Sequence, residues 1–308
     1  MLSGMTQPAE TRRQRAARRA GEFPPAPEPL PAPVIDSHTH LDLTAAEPAA
    51  PGRDAAGSTG GRDAAGDPVA ALVAQAAAVG VDRLVQVGVD LDSSRWGAEL
   101  AARVPAVVAT VALHPNEAPR LADLDEALRG IEALAAADRV RGIGETGLDH
   151  FRTGPDGLAA QEASFRAHIA IAKRYGKPLV IHDRDAHADV LRVLDSEGAP
   201  ATVVMHCFSG DADFAVECVR RGFVLSFAGT VTFANAAALR AAASVTPTDQ
   251  LLVETDAPYL TPMPYRGRPN ASYLIPHTVR SLAEVTGTDL DELCAAISAT
   301  GDRVFGPW

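Results

Sequence analysis

Two histidines one residue apart, His38 and His40, close the stretch Val34-Ile35-Asp36-Ser37-His38-Thr39-His40-Leu41-Asp42. In an extended segment side chains alternate faces, so residues two apart point the same way and two imidazoles can grip one object. That object would be a metal ion. An isolated pair of this kind is more often a polar loop, and its weight comes from further groups of ligand type along the chain. Glu145 stands among glycines in Gly142-Ile143-Gly144-Glu145-Thr146-Gly147-Leu148-Asp149, where ligands can approach closely, and its two oxygens can bridge two cations. His182 and His206 each close an apolar run, Leu179-Val180-Ile181 and Val203-Val204-Met205. Asp256 follows Leu251-Leu252-Val253-Glu254-Thr255, and a carboxylate there can hold a metal and accept a proton from attacking water. Glu254, on the same face, would support the ligands from behind.

Other residues suit substrate. Pro115 turns the chain after His114, leaving that imidazole at a rim, where it either meets substrate or caps the loop. Arg184, two residues past His182, is placed as a phosphate clamp or as a salt-bridge partner of Asp183 or Asp185. In the loop 262–270, Arg266 and Arg268 are set among Tyr259 and Tyr265. Charge on phosphates and rings under bases would suit a single-stranded nucleic-acid end, although a rigid surface loop accounts for this segment equally well. His168, His187 and His277 fall in helical patterns and read as exposed. Cys207 reads as buried filler pointing off the site.

These groups need a scaffold that gathers strand ends. Eight β-rich runs, at Val34–Ile35, Arg83–Val89, Val107–Leu113, Val140–Glu145, Leu179–His182, Thr202–His206, Phe223–Phe227 and Leu251–Thr255, alternate with amphipathic segments. The latter lie near 68–80, 92–104, 120–137, 158–175, 185–198, 211–221 and 235–245, with two more near 272–287 and 288–300. That rhythm predicts a (β/α)8 barrel of the TIM type with extra C-terminal helices, and the candidate ligands fall where such a barrel collects its catalytic groups. No GxGxxG or GxxxxGK[ST] follows a strand, which disfavours an open doubly wound sheet. Residues 33–308 are expected to form one domain. Residues 1–32 read as a disordered Arg/Pro-rich arm, and 47–67, which repeats Gly-Arg-Asp-Ala-Ala-Gly, as a flexible insert.

Composition narrows the class further. A net charge of −11 argues against a basic nucleic-acid coat, so any attraction for phosphates must be local, from cations and nearby arginines. Three cysteines without a CxxC pairing suggest neither a disulfide frame nor a cysteine zinc site. The paired arginines near the start lack a following apolar region, so export is not expected and the chain is placed in the cytoplasm, with no membrane partner. Only two lysines occur, Lys173 and Lys177, neither at a strand end, which disfavours a carboxylated-lysine metal bridge.

Assembled in order, DSHTHLD, LHPNE, GETGLDH, IHDRDA, MHCFSG, ETDAPYL and RGRPN resemble the TatD family of metal-dependent deoxyribonucleases, within the amidohydrolase-like barrels. The similarity runs from Val34 to about Phe305. The resemblance implies one ion on His38, His40, Glu145 and Asp256, and a second on Glu145, His182 and His206, with His114 and Arg184 meeting substrate. It also implies hydrolysis of phosphodiester bonds at single-stranded DNA 3′ ends, with Glu145 and Asp256 as the catalytic carboxylates. Mixed imidazole and carboxylate ligands admit zinc, manganese, cobalt or iron, while the resemblance points to magnesium. A lactone, amide or small-phosphoester hydrolase on the same barrel and a non-catalytic metal scaffold are the alternatives. The chain departs from the family pattern at His150, at Thr300 and in the 47–67 insert.

Overall fold

The computed structural model describes residues 21–52 and 67–308. Eight parallel strands follow one another around a single sheet in chain order: β1 (Val34–Thr39), β2 (Val81–Val87), β3 (Val107–Val111), β4 (Val140–Asp149), β5 (Leu179–Arg184), β6 (Val203–Met205), β7 (Val224–Phe227) and β8 (Leu251–Val253). Helices separate them, as right-handed parallel crossovers require. They are α1 (Leu41–Ala46), α2 (Pro68–Ala78), α3 (Leu91–Arg103), α4 (Leu124–Ala135), α5 (Pro155–Tyr175), α6 (His187–Glu197), α7 (Ala212–Arg220) and α8 (Ala237–Val245). After β8 come α9 (Ile275–Thr286) and α10 (Leu290–Phe305). This is the expected amidohydrolase-like (β/α)8 barrel with its C-terminal helices. The short α1, directly after the histidine pair, is the one helix the apolar pattern did not show.

Closure of the barrel depends on a buried carboxylate. β8 is only three residues long and reaches β1 through a single bridge between Thr39 and Ala257, with His40 N donating to Ala257 O and Asp256 N to His38 O, both at 2.9 Å. Asp36, fully buried in β1, accepts from Thr255 N at 2.9 Å and Thr255 Oγ1 at 2.6 Å. Burial pushes its carboxyl up to about 7, against the pull of the Thr255 and Ser272 hydrogen bonds. The side chain thus ties the first strand to the last, immediately below the histidine pair.

Residues 1–20 and 53–66 lie outside the described residues, and with them most of the expected arm and most of the insert. Residues 22–32 depart from the expectation of disorder, because the barrel holds their backbone. Arg268 donates to the carbonyls of Glu22 (2.9 Å) and Phe23 (2.7 Å), Tyr273 Oη to Pro24 O, and Arg280 to Glu28 O and Pro29 O. Leu30 is buried in the core. The prolines of this stretch leave it few backbone donors of its own, and three side chains far along the sequence bond its carbonyls instead.

His168 is a second correction. Helix α5 starts at Pro155, ends at Gly176 in the left-handed region and buries Gln161, Ser164, Phe165, His168, Ile169 and Ala172, one face at helical spacing. His168 lies on that face, fully buried. Its Nδ1–H donates to Ser164 O at 2.7 Å, and Nε2 accepts from Leu113 N at 3.1 Å, which fixes the segment that leaves β3 just before His114. Both nitrogens are engaged in the neutral form, and burial pushes the pKa down to about 4.

The unfolded chain would protonate near 6.5 while the folded chain does not, so the unfolded state binds the extra proton between those values. Stability from this residue is complete above pH 6.5 and is lost as pH falls toward 4, by about 3 kcal/mol in all. Denaturant titrations of metal-free protein should show a steeper loss over that window in wild type than in His168→Gln, which keeps an acceptor without titrating. Parallel slopes would contradict this role.

Candidate metal centre at the barrel mouth

At the C-terminal ends of the strands, the side chains from β1, β4, β5, β6 and β8 converge on Glu145. Its two oxygens face different groups. Oε1 lies 3.6 Å from His38 Nε2 and 3.7 Å from His40 Nε2, while Oε2 lies 3.0 Å from His206 Nε2, 3.1 Å from His182 Nδ1 and 3.7 Å from His114 Nε2. Asp256 completes the first side, with Oδ1 3.7 Å from His38 Nε2 and 3.4 Å from His40 Nε2. The residues expected as ligands from the sequence are therefore all within one cluster, and His114 joins its second side.

The donor set fits divalent ions. Two ligands each about 2.0–2.2 Å from a shared ion stand about 3–3.5 Å apart, and these pairs lie at 3.0 to 3.7 Å, within a few tenths of an ångström of that range. His38 is fully buried, and neither of its ring nitrogens has a hydrogen-bond partner among the described residues, an arrangement that is costly unless something else binds there. His38, His40 and Glu145 form one compact set of possible ligand atoms, and His114, Glu145 and His182 another.

Electrostatics keep the carboxylates ready. Burial would raise Glu145, but the positive charge of His206 and His114 and the hydrogen bonds of His182 and His206 hold it well below the usual carboxylate range. Asp256 is likewise opposed by burial and lowered by its hydrogen bond to His40 and by the charges of His38 and His40. The imidazoles divide. Burial lowers His38 and takes His114 to about 4, whereas in His40 burial is outweighed by Asp256 and the pKa rises to about 9. A cation competes with these protons, so binding would release them.

Supporting carboxylates orient the rings. His206 Nδ1 is 3.0 Å from Glu254 Oε1, and Glu254 is fully buried, as expected of a group behind the ligands. Asp149 was missed by sequence reasoning. Its Oδ2 lies 3.3 Å from His182 Nε2 and accepts from Asn116 Nδ2, while Oδ1 accepts from the backbone of Phe151 and Arg152. It stands next to last in GETGLDH, four residues after Glu145, and the two-residue alternation of a strand that runs on to Asp149 would have placed it on Glu145's side.

A cavity of about 1310 Å³ opens over the cluster. His114, Arg184 and Tyr259 line it, as do Asn116 and Arg152, which the sequence had not singled out. Arg184 lies over the exposed ring of Phe151 at 4.1 Å and not in a salt bridge with Asp183 or Asp185. Tyr259 is 55% exposed, so a flat ring is available at the rim.

Neither Arg266 nor Arg268, expected on substrate, is among the residues lining the cavity. Arg268 is taken up by the Glu22 and Phe23 carbonyls, and Arg266 packs over the ring of Phe233, a cavity-lining residue, at 4.4 Å without itself lining the cavity. The rigid-loop alternative accounts for Arg268. Cys207 also differs from expectation: at φ +43° it leaves the strand alternation and lines the cavity. Burial and the neighbouring Glu254 and Asp256 carboxylates push its thiol well above the ordinary value, which leaves it a poor nucleophile. Lys173 and Lys177 are bound to backbone carbonyls away from the mouth, so no lysine bridges the cluster. No helix among the described residues is long and apolar enough to cross a membrane.

An amidohydrolase-like barrel whose mouth gathers imidazoles and carboxylates in this way defines the class as metal-dependent hydrolases. The chain belongs to the TatD-related DNase family, whose model matches residues 35–306. It is 46% identical over 277 residues to a Mycobacterium tuberculosis protein called an uncharacterized metal-dependent hydrolase TatD, covering 89% of this chain and 98% of that one. A Citrobacter rodentium relative, 37% identical over 243 residues and matched over 76% of this chain and 90% of its own, is named a 3′-5′ ssDNA/RNA exonuclease TatD. The crystal structure of YjjV, a TatD homologue from Escherichia coli, superposes with a TM-score of 0.77 at 25% identity, over 89% of this chain and 98% of that one.

Proposed function

We propose that the protein removes nucleotides from the 3′ ends of single-stranded DNA by hydrolysing phosphodiester bonds with two divalent cations. The observation that carries this reading is the division of Glu145, with one oxygen facing His38 and His40 and the other facing His182 and His206. The name of the Citrobacter rodentium relative supports the substrate class. An intracellular site of action in the cytoplasm remains part of the proposal.

A pair of divalent ions there would lower the pKa of bound water and offset the charge on the phosphate oxygens. Magnesium follows from the family likeness, with zinc, manganese, cobalt or iron compatible with the ligands. Asp256, held ionised beside His38 and His40, would accept the proton of the attacking water. His114, on the other side of Glu145, would contact a phosphate oxygen. Arg184 and Arg152 line the cavity and would clamp the flanking phosphates, supplying local positive charge on an acidic body. Tyr259 would lie against a base at the rim. Glu254 and Asp149 hold the rings of His206 and His182 in place and do not touch substrate.

The test is a substrate comparison. Protein stripped and reloaded with each metal should shorten 5′-labelled single-stranded DNA stepwise from the 3′ end and leave a lactone panel untouched. Lactone turnover with intact DNA would establish the small-ester alternative, and DNA binding without turnover under any metal would establish the scaffold.

A further inference from the structure

A second cleft, of about 540 Å³, lies between the start of α6 and the segment leading into α7, and it shares Ser209 and Ala238 with the lining of the main cavity. Three rings run toward it in a stack. Phe208, buried against Phe227, lies 5.6 Å from Phe214 at an interplanar angle of 14°, and Phe214 lies 4.2 Å from His187 at 15°. His187 ends the stack with 35% of its side chain exposed, while Phe214 covers one of its faces. His187 also lines the cleft, so part of the ring beyond Phe214 can be reached from it.

The ring is fixed in that pose. Asp183 Oδ2 accepts from His187 Nδ1 at 2.7 Å, and Asp183 Oδ1 from Ala186 N at 3.3 Å. Gly210 leaves room for the stack, since a Cβ there would overlap both Phe214 and Phe208. The charges nearest the imidazole are Asp183, Asp185 and Asp211. Carboxylates repel phosphate, so the cleft disfavours the sugar-phosphate chain and admits its uncharged planar part. A ring face at the end of an aromatic stack attracts such a group independently of its identity.

We infer that His187, backed by Phe214 and Phe208, is a stacking platform for one nucleobase of the strand whose phosphate occupies the main cavity. This rests on the nuclease reading above and adds a second contact point for the same strand. Specificity for single strands then has a physical cause, because a base must leave its duplex partner to stack on His187.

Single-stranded oligonucleotides carrying one abasic site, moved position by position from the 3′ end, test the assignment through the kinetics of removal of the first nucleotide. In wild type, the abasic site should raise KM about tenfold at one position and leave kcat within about twofold. His187→Ala should raise KM for the intact strand by a similar factor and flatten the scan, while His187→Phe, which keeps a ring, should restore both. A flat scan in wild type with trimming intact would overturn the platform alone. No trimming of any oligonucleotide would overturn the platform together with the nuclease reading.

Discussion

Replacing Glu145 with alanine is expected to lower turnover by about 10⁴-fold, equivalent to about 5.5 kcal/mol of transition-state stabilisation. Five imidazoles face its two oxygens, at 3.0 to 3.7 Å. Removing it therefore takes one ligand from each side of the centre at once, a loss no single histidine substitution would produce. Glu145→Gln should come within about tenfold of the alanine variant, because an amide keeps the shape but offers only one oxygen to ligate. Steady-state rates on single-stranded DNA, with melting temperatures to confirm folding, check both. Retention of more than about a tenth of wild-type turnover in either variant would remove Glu145 from the centre of the mechanism.

Asp256→Asn should produce the second largest effect, a fall in kcat of about 10³-fold with KM within a few-fold of wild type. The carboxylate lies toward His38 and His40, on one side of Glu145, so the ligands on the other side, His182 and His206, are left intact. The loss should therefore fall on the proton acceptor and on one cation, not on substrate affinity. A change confined to KM would mean that Asp256 positions substrate and takes no proton.

The site was legible in the sequence where its signals are local. His38 and His40 share a face because β1 is extended, and Glu145, His182, His206 and Asp256 each follow an apolar run that a barrel turns toward one mouth. What the sequence hid are partnerships across long separations and breaks in local rules. Arg268 sits in an aromatic loop that suits nucleic acid, yet the carbonyls it binds belong to residues 245 and 246 positions away. Alternation aims Cys207 off the site, but its positive φ turns it into the cavity. His168 lies on a helix face that only the packing of α5 against β4 reveals as buried. Strand ends were also misjudged: β4 and β5 run on to Asp149 and Arg184, and the extra residues carry the carboxylate and guanidinium that shape the mouth.

Crystals grown with manganese and measured at its absorption edge would locate the cations directly. Two anomalous peaks are expected for each chain, one between Glu145 Oε1, His38, His40 and Asp256, the other between Glu145 Oε2, His182 and His206. One peak, or peaks away from Glu145, would show that this carboxylate does not join two ions.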